Sequence, residues 1–133
     1  MRRLLLVSLL IASTAPFSAA SGQGADRLFY YVDSEAAYTS LVKHIDAITV
    51  LGPQVYSVDS LGVVAGSVDP RVMSLAKAHG VKLMPLVTNE GFNQPELGKL
   101  LADTAALHRA TRSLADICRS NGYWGIQFDI ENM

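Results

Sequence analysis

Stretches of strand character and stretches of helical periodicity alternate along this chain, an order that points to a parallel sheet with covering helices. Ser34 can cap a first helix running to about Lys43, with Ala37, Leu41 and Val42 near one face. A strand follows at about Ala47 to Leu51, and Gly52-Pro53 is expected to break it. Gln54–Val58 and Leu61–Ala65, joined through Asp59-Ser60, read as a small hairpin. Asp69-Pro70 is a helix start, because the carboxylate can cap and proline is tolerated in the first turn; Gly80 is placed to end that helix. Val81–Val87 reads as a strand, in which Pro85 is unexpected because it donates no ladder hydrogen bond. Pro95–Ala102 and Thr104–Arg119 read as two helical pieces, with Asp103 capping the second. Leu107, Ala110, Leu114, Ile117 and Cys118 recur there at helical spacing, so they should face the sheet, and Asn121-Gly122 stops the helix.

The last strand, Gly125 to Asn132, carries the chemistry. Side chains alternate along a strand, so Gln127, Asp129 and Glu131 share one face while Ile126, Phe128 and Ile130 share the other. Acidic residues are disfavoured in strands and are rarely buried without a partner. Two of them between large hydrophobes therefore point to a built site, the plainer reading being an amphipathic strand with one wet face. Such a strand is expected at a central or inner place in its sheet, with both carboxylates toward its C-terminal end. Residues two apart on a strand start roughly 6.5 to 7 Å from one another, so their side-chain ends can meet. Negative charges that close repel in a low-dielectric pocket, which raises the affinity of the pair for a proton. A carboxylic acid kept protonated near neutral pH can serve as a general acid.

The segment Trp124-Gly125-Ile126-Gln127-Phe128-Asp129-Ile130-Glu131 resembles the signature of glycoside hydrolase family 18, Asp-Gly-x-Asp-x-Asp-x-Glu. That family includes chitinases and spore-cortex and germination-type hydrolases. The glycine, the last aspartate and the glutamate match; Trp124 and Gln127 stand where the pattern has aspartates, and an amide at the middle position is similar to the germination-type branch. Leu28–Val32 resembles the family's first barrel strand, Ile48–Asp59 its second strand with the hairpin after it, and Val81–Asn89 its third. The resemblance implies an α/β fold comprising the first four β/α units of a (β/α)8 barrel. A complete barrel needs about 250 residues. With 133 residues, the chain is expected to be a truncated, N-terminal half of a longer product.

By the same resemblance Glu131 is the general acid and then base, and Asp129 orients the substrate's own 2-acetamido group, whose carbonyl oxygen attacks the anomeric carbon. Gln127 and Tyr30 are implied as supporting residues, Gln127 holding Asp129 by an amide hydrogen bond and Tyr30 bonding the acidic pair, with a plain core aromatic an equal reading of Tyr30. Asn89 and Tyr56 are implied as substrate-binding, Tyr56 as a stacking platform, whereas Trp124 is expected to pack structurally at the end of its strand opposite the site. The polar loop from Thr88 to Gln94 would lie on the catalytic face.

Arg2-Arg3, the apolar run Leu4–Ala12 and Ser18-Ala19-Ala20 have the charged, hydrophobic and cleavage regions of a secretory signal peptide. Residues 1–20 are therefore expected to be that signal, 21–26 a linker and 27–133 the partial catalytic barrel, in a secreted or periplasmic protein. A retained N-terminal anchor is the alternative, although a nine-residue run falls short of the roughly 20 apolar residues that span a bilayer. No membrane partner is expected after cleavage. A net charge of −1 without a basic cluster beyond Arg2-Arg3 argues against nucleic acid. The single cysteine, Cys118, excludes an internal disulfide, and His44, His79 and His108 lack ligand spacing, so neither metal nor other cofactor is expected. Two functions fit these residues: a retaining glycosidase of chitin or peptidoglycan, inactive as this piece alone, or a glycan-binding protein on the same scaffold without catalysis.

Overall fold

The computed structural model describes residues 24–130. The signal-like segment and Glu131 therefore lie outside the described residues. Four parallel strand positions form the sheet, in the order β1 (Leu28–Tyr31), β2 (Val50–Val58), β5 (Leu86–Asn89) and β6 (Gln127–Asp129). A short antiparallel strand β3 (Val64–Ala65) folds back on the end of β2, and β4 (Lys82–Leu83) pairs with its start. Parallel neighbours require crossover connections, and helices α1 (Glu35–His44), α2 (Pro70–Ala78), α3 (Gln94–Ala102) and α4 (Thr104–Asn121) supply them. The result is a mixed α/β fold with a parallel sheet, compatible with a partial TIM-barrel-like fold, and among the described residues the sheet is not closed.

Short polar side chains start these helices where the sequence places them. Ser34 accepts from the Ala37 amide at 3.2 Å, Asp69 from Arg71 at 2.7 Å, and Asp103 from Ala105 at 2.8 Å. Gly122 closes α4 in the left-handed conformation, φ 65°, which lets the Tyr123 amide reach back to the Cys118 carbonyl at 3.0 Å. The helices bury one face of the sheet: Tyr31, Leu51, Tyr56, Val58 and Val87 pack against Leu41, Val72, Ala76, Ala106, Ala110 and Leu114. Val50 and Leu86 are equally buried, but they stand outside that cluster, on the concave side with Tyr30 and Gly52.

Three local expectations are corrected. Gly52-Pro53 does not break the second strand, which runs unbroken from Val50 to Val58 and instead shifts register between Gln54 and Tyr56. Pro53 falls on the last pair that β2 makes with β1, at Tyr31, so the ladder it would interrupt ends there. The third strand, by contrast, is split: Pro85 lies in the gap between β4 and β5, where its missing N–H interrupts no ladder and its carbonyl accepts from Gln127 at 2.9 Å. Among the described residues the last strand is not inner: β6 pairs with β5 alone and stands at the sheet edge, and its regular part is three residues long.

Candidate active site

The register of the sheet decides which side chains meet. Leu86 pairs with Gln127 and Thr88 with Asp129, so Gln127 and Asp129 share the concave face with Leu86, Thr88, Gly52 and Tyr30. Both are half-buried. Asp129 is the last residue of β6 and lies at the C-terminal end of the parallel strands, the end at which a β/α barrel carries its chemistry. A 3-10 turn over Glu90–Phe92, with Gly91 at φ 58° and Phe92 at φ 52°, follows β5 at that same end and is the local form of the expected polar loop.

Tyr30 and Gln127 come together directly. The Gln127 amide nitrogen donates to the Tyr30 hydroxyl at 2.8 Å, joining the two edge strands of the sheet across its concave face. The expected bond from the Gln127 amide to Asp129 is thus replaced, for its nitrogen, by a bond to Tyr30. The Gln127 Oε1 is buried and has no hydrogen-bond partner among the described residues. Tyr30 is 55% exposed on the concave face of the described sheet.

Two implied substrate contacts fall on the other side. In a regular strand Tyr56 would share the face of Gly52 and Gln54; the register shift after Gln54 turns it toward the helices, where it pairs with Val87. It is 5% exposed, and its hydroxyl is bonded to that of Tyr123 at 3.0 Å, the rings meeting edge to face at 6.4 Å. Burial, and then the bond from Tyr56, push the Tyr123 phenol well above its ordinary range. A sugar has no stacking surface there. Asn89 is 2% exposed and pairs with Val58 on the helix side, so its side chain offers a sugar no surface either. Trp124 departs from its expected packing in the opposite sense: it is more than half exposed, with the Lys82 ammonium 4.3 Å above its ring. Sequence reasoning missed Gly52 and Tyr123. A glycine inside a strand is itself a signal of close approach, overlooked here because proline follows it.

No family model and no curated relative matches the sequence. Solved structures do match its fold, and the class they define is that of chitinases and spore cortex-lytic enzymes. The chain is similar to a chitinase from Chromobacterium violaceum, with a TM-score of 0.65 and 20% identity over 78% of this chain and 34% of that one. It is similar to the spore cortex-lytic enzyme SleL of Bacillus cereus, with a TM-score of 0.73 and 14% identity over 81% and 28%. A class V chitinase from Pseudomonas fluorescens gives a TM-score of 0.71 and 21% identity over 80% and 35%. The chain thus spans about a third of the length of these structures. What is shared at such identities is the fold.

Proposed function

We propose that this chain is part of a secreted glycoside hydrolase of the family 18 type, which cleaves β-linked N-acetylglucosamine glycans, chitin or peptidoglycan, with retention of configuration. One observation carries the reading: Asp129 ends a parallel strand on the concave face that also holds Gln127 and Tyr30, in a sheet similar to those of chitinases and SleL. Glu131, two residues on, is the proposed acid. It would protonate the leaving oxygen while the acetamido oxygen of the substrate, oriented by Asp129, attacks the anomeric carbon; the resulting carboxylate would then take a proton from the incoming water. Neither metal nor organic cofactor enters these steps.

The described sheet is proposed to be the first half of an eight-stranded barrel. Its two open edges support this: Phe29 on β1 and Phe128 on β6 are 49% and 62% exposed, although their strand neighbours Leu51 and Val87 are buried in the helix-side core. Loops beyond further strands would hold the sugar, so the 133-residue chain alone is expected to be inactive. The test compares an N-acetylglucosamine oligomer with its deacetylated counterpart, using the complete protein. Cleavage of the first with at least a hundredfold slower cleavage of the second is expected, on the order of the effect of losing a catalytic group. Equal cleavage of both would overturn substrate assistance, and binding without cleavage would favour the glycan-binding alternative.

A further inference from the structure

We infer that Gly52 is a positioning residue of this site: by presenting no side chain to the concave face, it lets the Tyr30 ring cross β2 and hold the Gln127 amide. The role in turnover rests on the proposed hydrolase reading; the geometry does not. A β-carbon built on Gly52 would lie 3.0 Å from Tyr30 Cδ1, 3.4 Å from Tyr30 Cε1 and 3.0 Å from Leu86 Cδ1. These are closer than ordinary contacts, so the tyrosine ring lies directly over the glycine. The backbone does not require glycine here, because Gly52 is absent from the positive-φ residues. Strand propensity favours almost any β-branched residue in its place. The space above it is therefore what the glycine provides.

That space leads across the sheet. Tyr30 belongs to β1 and Gln127 to β6, with β2 and β5 between them, and the 2.8 Å bond between their side chains passes over this lane. Since Gln127 Oε1 has no partner among the described residues, the bond from Nε2 to Tyr30 is what orients the amide. Gln127 stands two residues before Asp129 on the same face, so whatever turns the amide changes the surroundings of the proposed acetamido-orienting carboxylate. Gly52 acts on Asp129 through Tyr30 and Gln127.

The experiment uses Gly52→Val, Tyr30→Phe and the double variant, with Gly52→Ala as the milder steric change should valine at 52 prevent folding. Three readouts are taken in the complete protein: thermal melting, proton exchange of the Gln127 side-chain amide by NMR, and turnover of an N-acetylglucosamine oligomer. Gly52→Val crowds Tyr30 and the buried Leu86 and should melt lower than the parent, and exchange at the Gln127 amide should rise on the order of fivefold, the loss of about one neutral hydrogen bond. Tyr30→Phe should give the same rise without any steric change. Turnover should fall in each single variant and no further in the double, because both act through one bond. Unchanged amide exchange in Gly52→Val and in Gly52→Ala would overturn the inference, as would turnover losses that multiply in the double variant. A parent protein that cleaves nothing would count against the hydrolase reading, while the amide exchange would still decide whether Gly52 positions Gln127.

Discussion

Replacing Glu131 by glutamine in the complete protein is expected to lower turnover of an N-acetylglucosamine oligomer by at least about a hundredfold, with binding of the oligomer retained. Glutamine preserves the shape and the hydrogen-bonding of the side chain but carries no transferable proton. Attack by the acetamido oxygen would then expel an unprotonated alkoxide. The pattern separates the general acid from a residue that only touches sugar, for which weaker binding would accompany a smaller loss of rate. Asp129→Asn should also slow the reaction, because the acetamido group would lose the charge that orients it. Steady-state kinetics of the two variants beside the parent, with binding measured by calorimetry, reads both effects. Unchanged turnover in the Glu131→Gln protein would show that Glu131 is not the general acid.

The largest effect on folding is expected at Leu51. It is 1% exposed near the start of β2, paired with Phe29 on one side and Leu83 on the other, and it packs into the helix-side core. Truncation to alanine removes three buried carbons and leaves a cavity that the surrounding strands cannot close, a cost of about 2–5 kcal/mol. Against a total stability of roughly 5–15 kcal/mol, that is a large fraction, and the melting midpoint should drop by roughly 10 °C or more. Leu61→Ala is the control: Leu61 is 63% exposed, and a surface truncation of this kind should move the midpoint little. Circular dichroism melts of the two variants test the pair. Equal shifts would mean that the sheet does not pack as described.

Much of the architecture was legible in the residues because its signals are local. Ser34, Asp69 and Asp103 each stand at a helix start and cap it as their chemistry predicts, and Gly122 ends α4 with the left-handed turn expected of it. The alternation of strand and helix correctly implied parallel pairing. What the sequence concealed were effects of pairing between distant segments. Gly52-Pro53 looks like punctuation, yet β2 runs through it, because its proline meets the end of β1 and its glycine lies under a tyrosine from another strand.

The site was legible on one strand and obscure across strands. Gln127 and Asp129 share a face as the period of two requires, but the same rule fails at Tyr56, since a register shift that nothing local announces moves it from the concave face to the core. Asn89 was judged by its place at a strand end and not by which way that end faces. The bond between Tyr30 and Gln127 spans 97 residues of sequence, and only the curvature of the sheet brings the two together.

The most direct test of the central claim is the configuration of the first product. Proton NMR of an N-acetylglucosamine oligomer incubated with the complete protein resolves the α and β anomeric signals before they equilibrate. Attack by the substrate's own acetamido oxygen, followed by water at the same carbon, is a double displacement, so the β anomer should appear first and the α anomer only at the rate of mutarotation. Initial accumulation of the α anomer would mean a single displacement by water, and would contradict the roles given to Asp129 and Glu131.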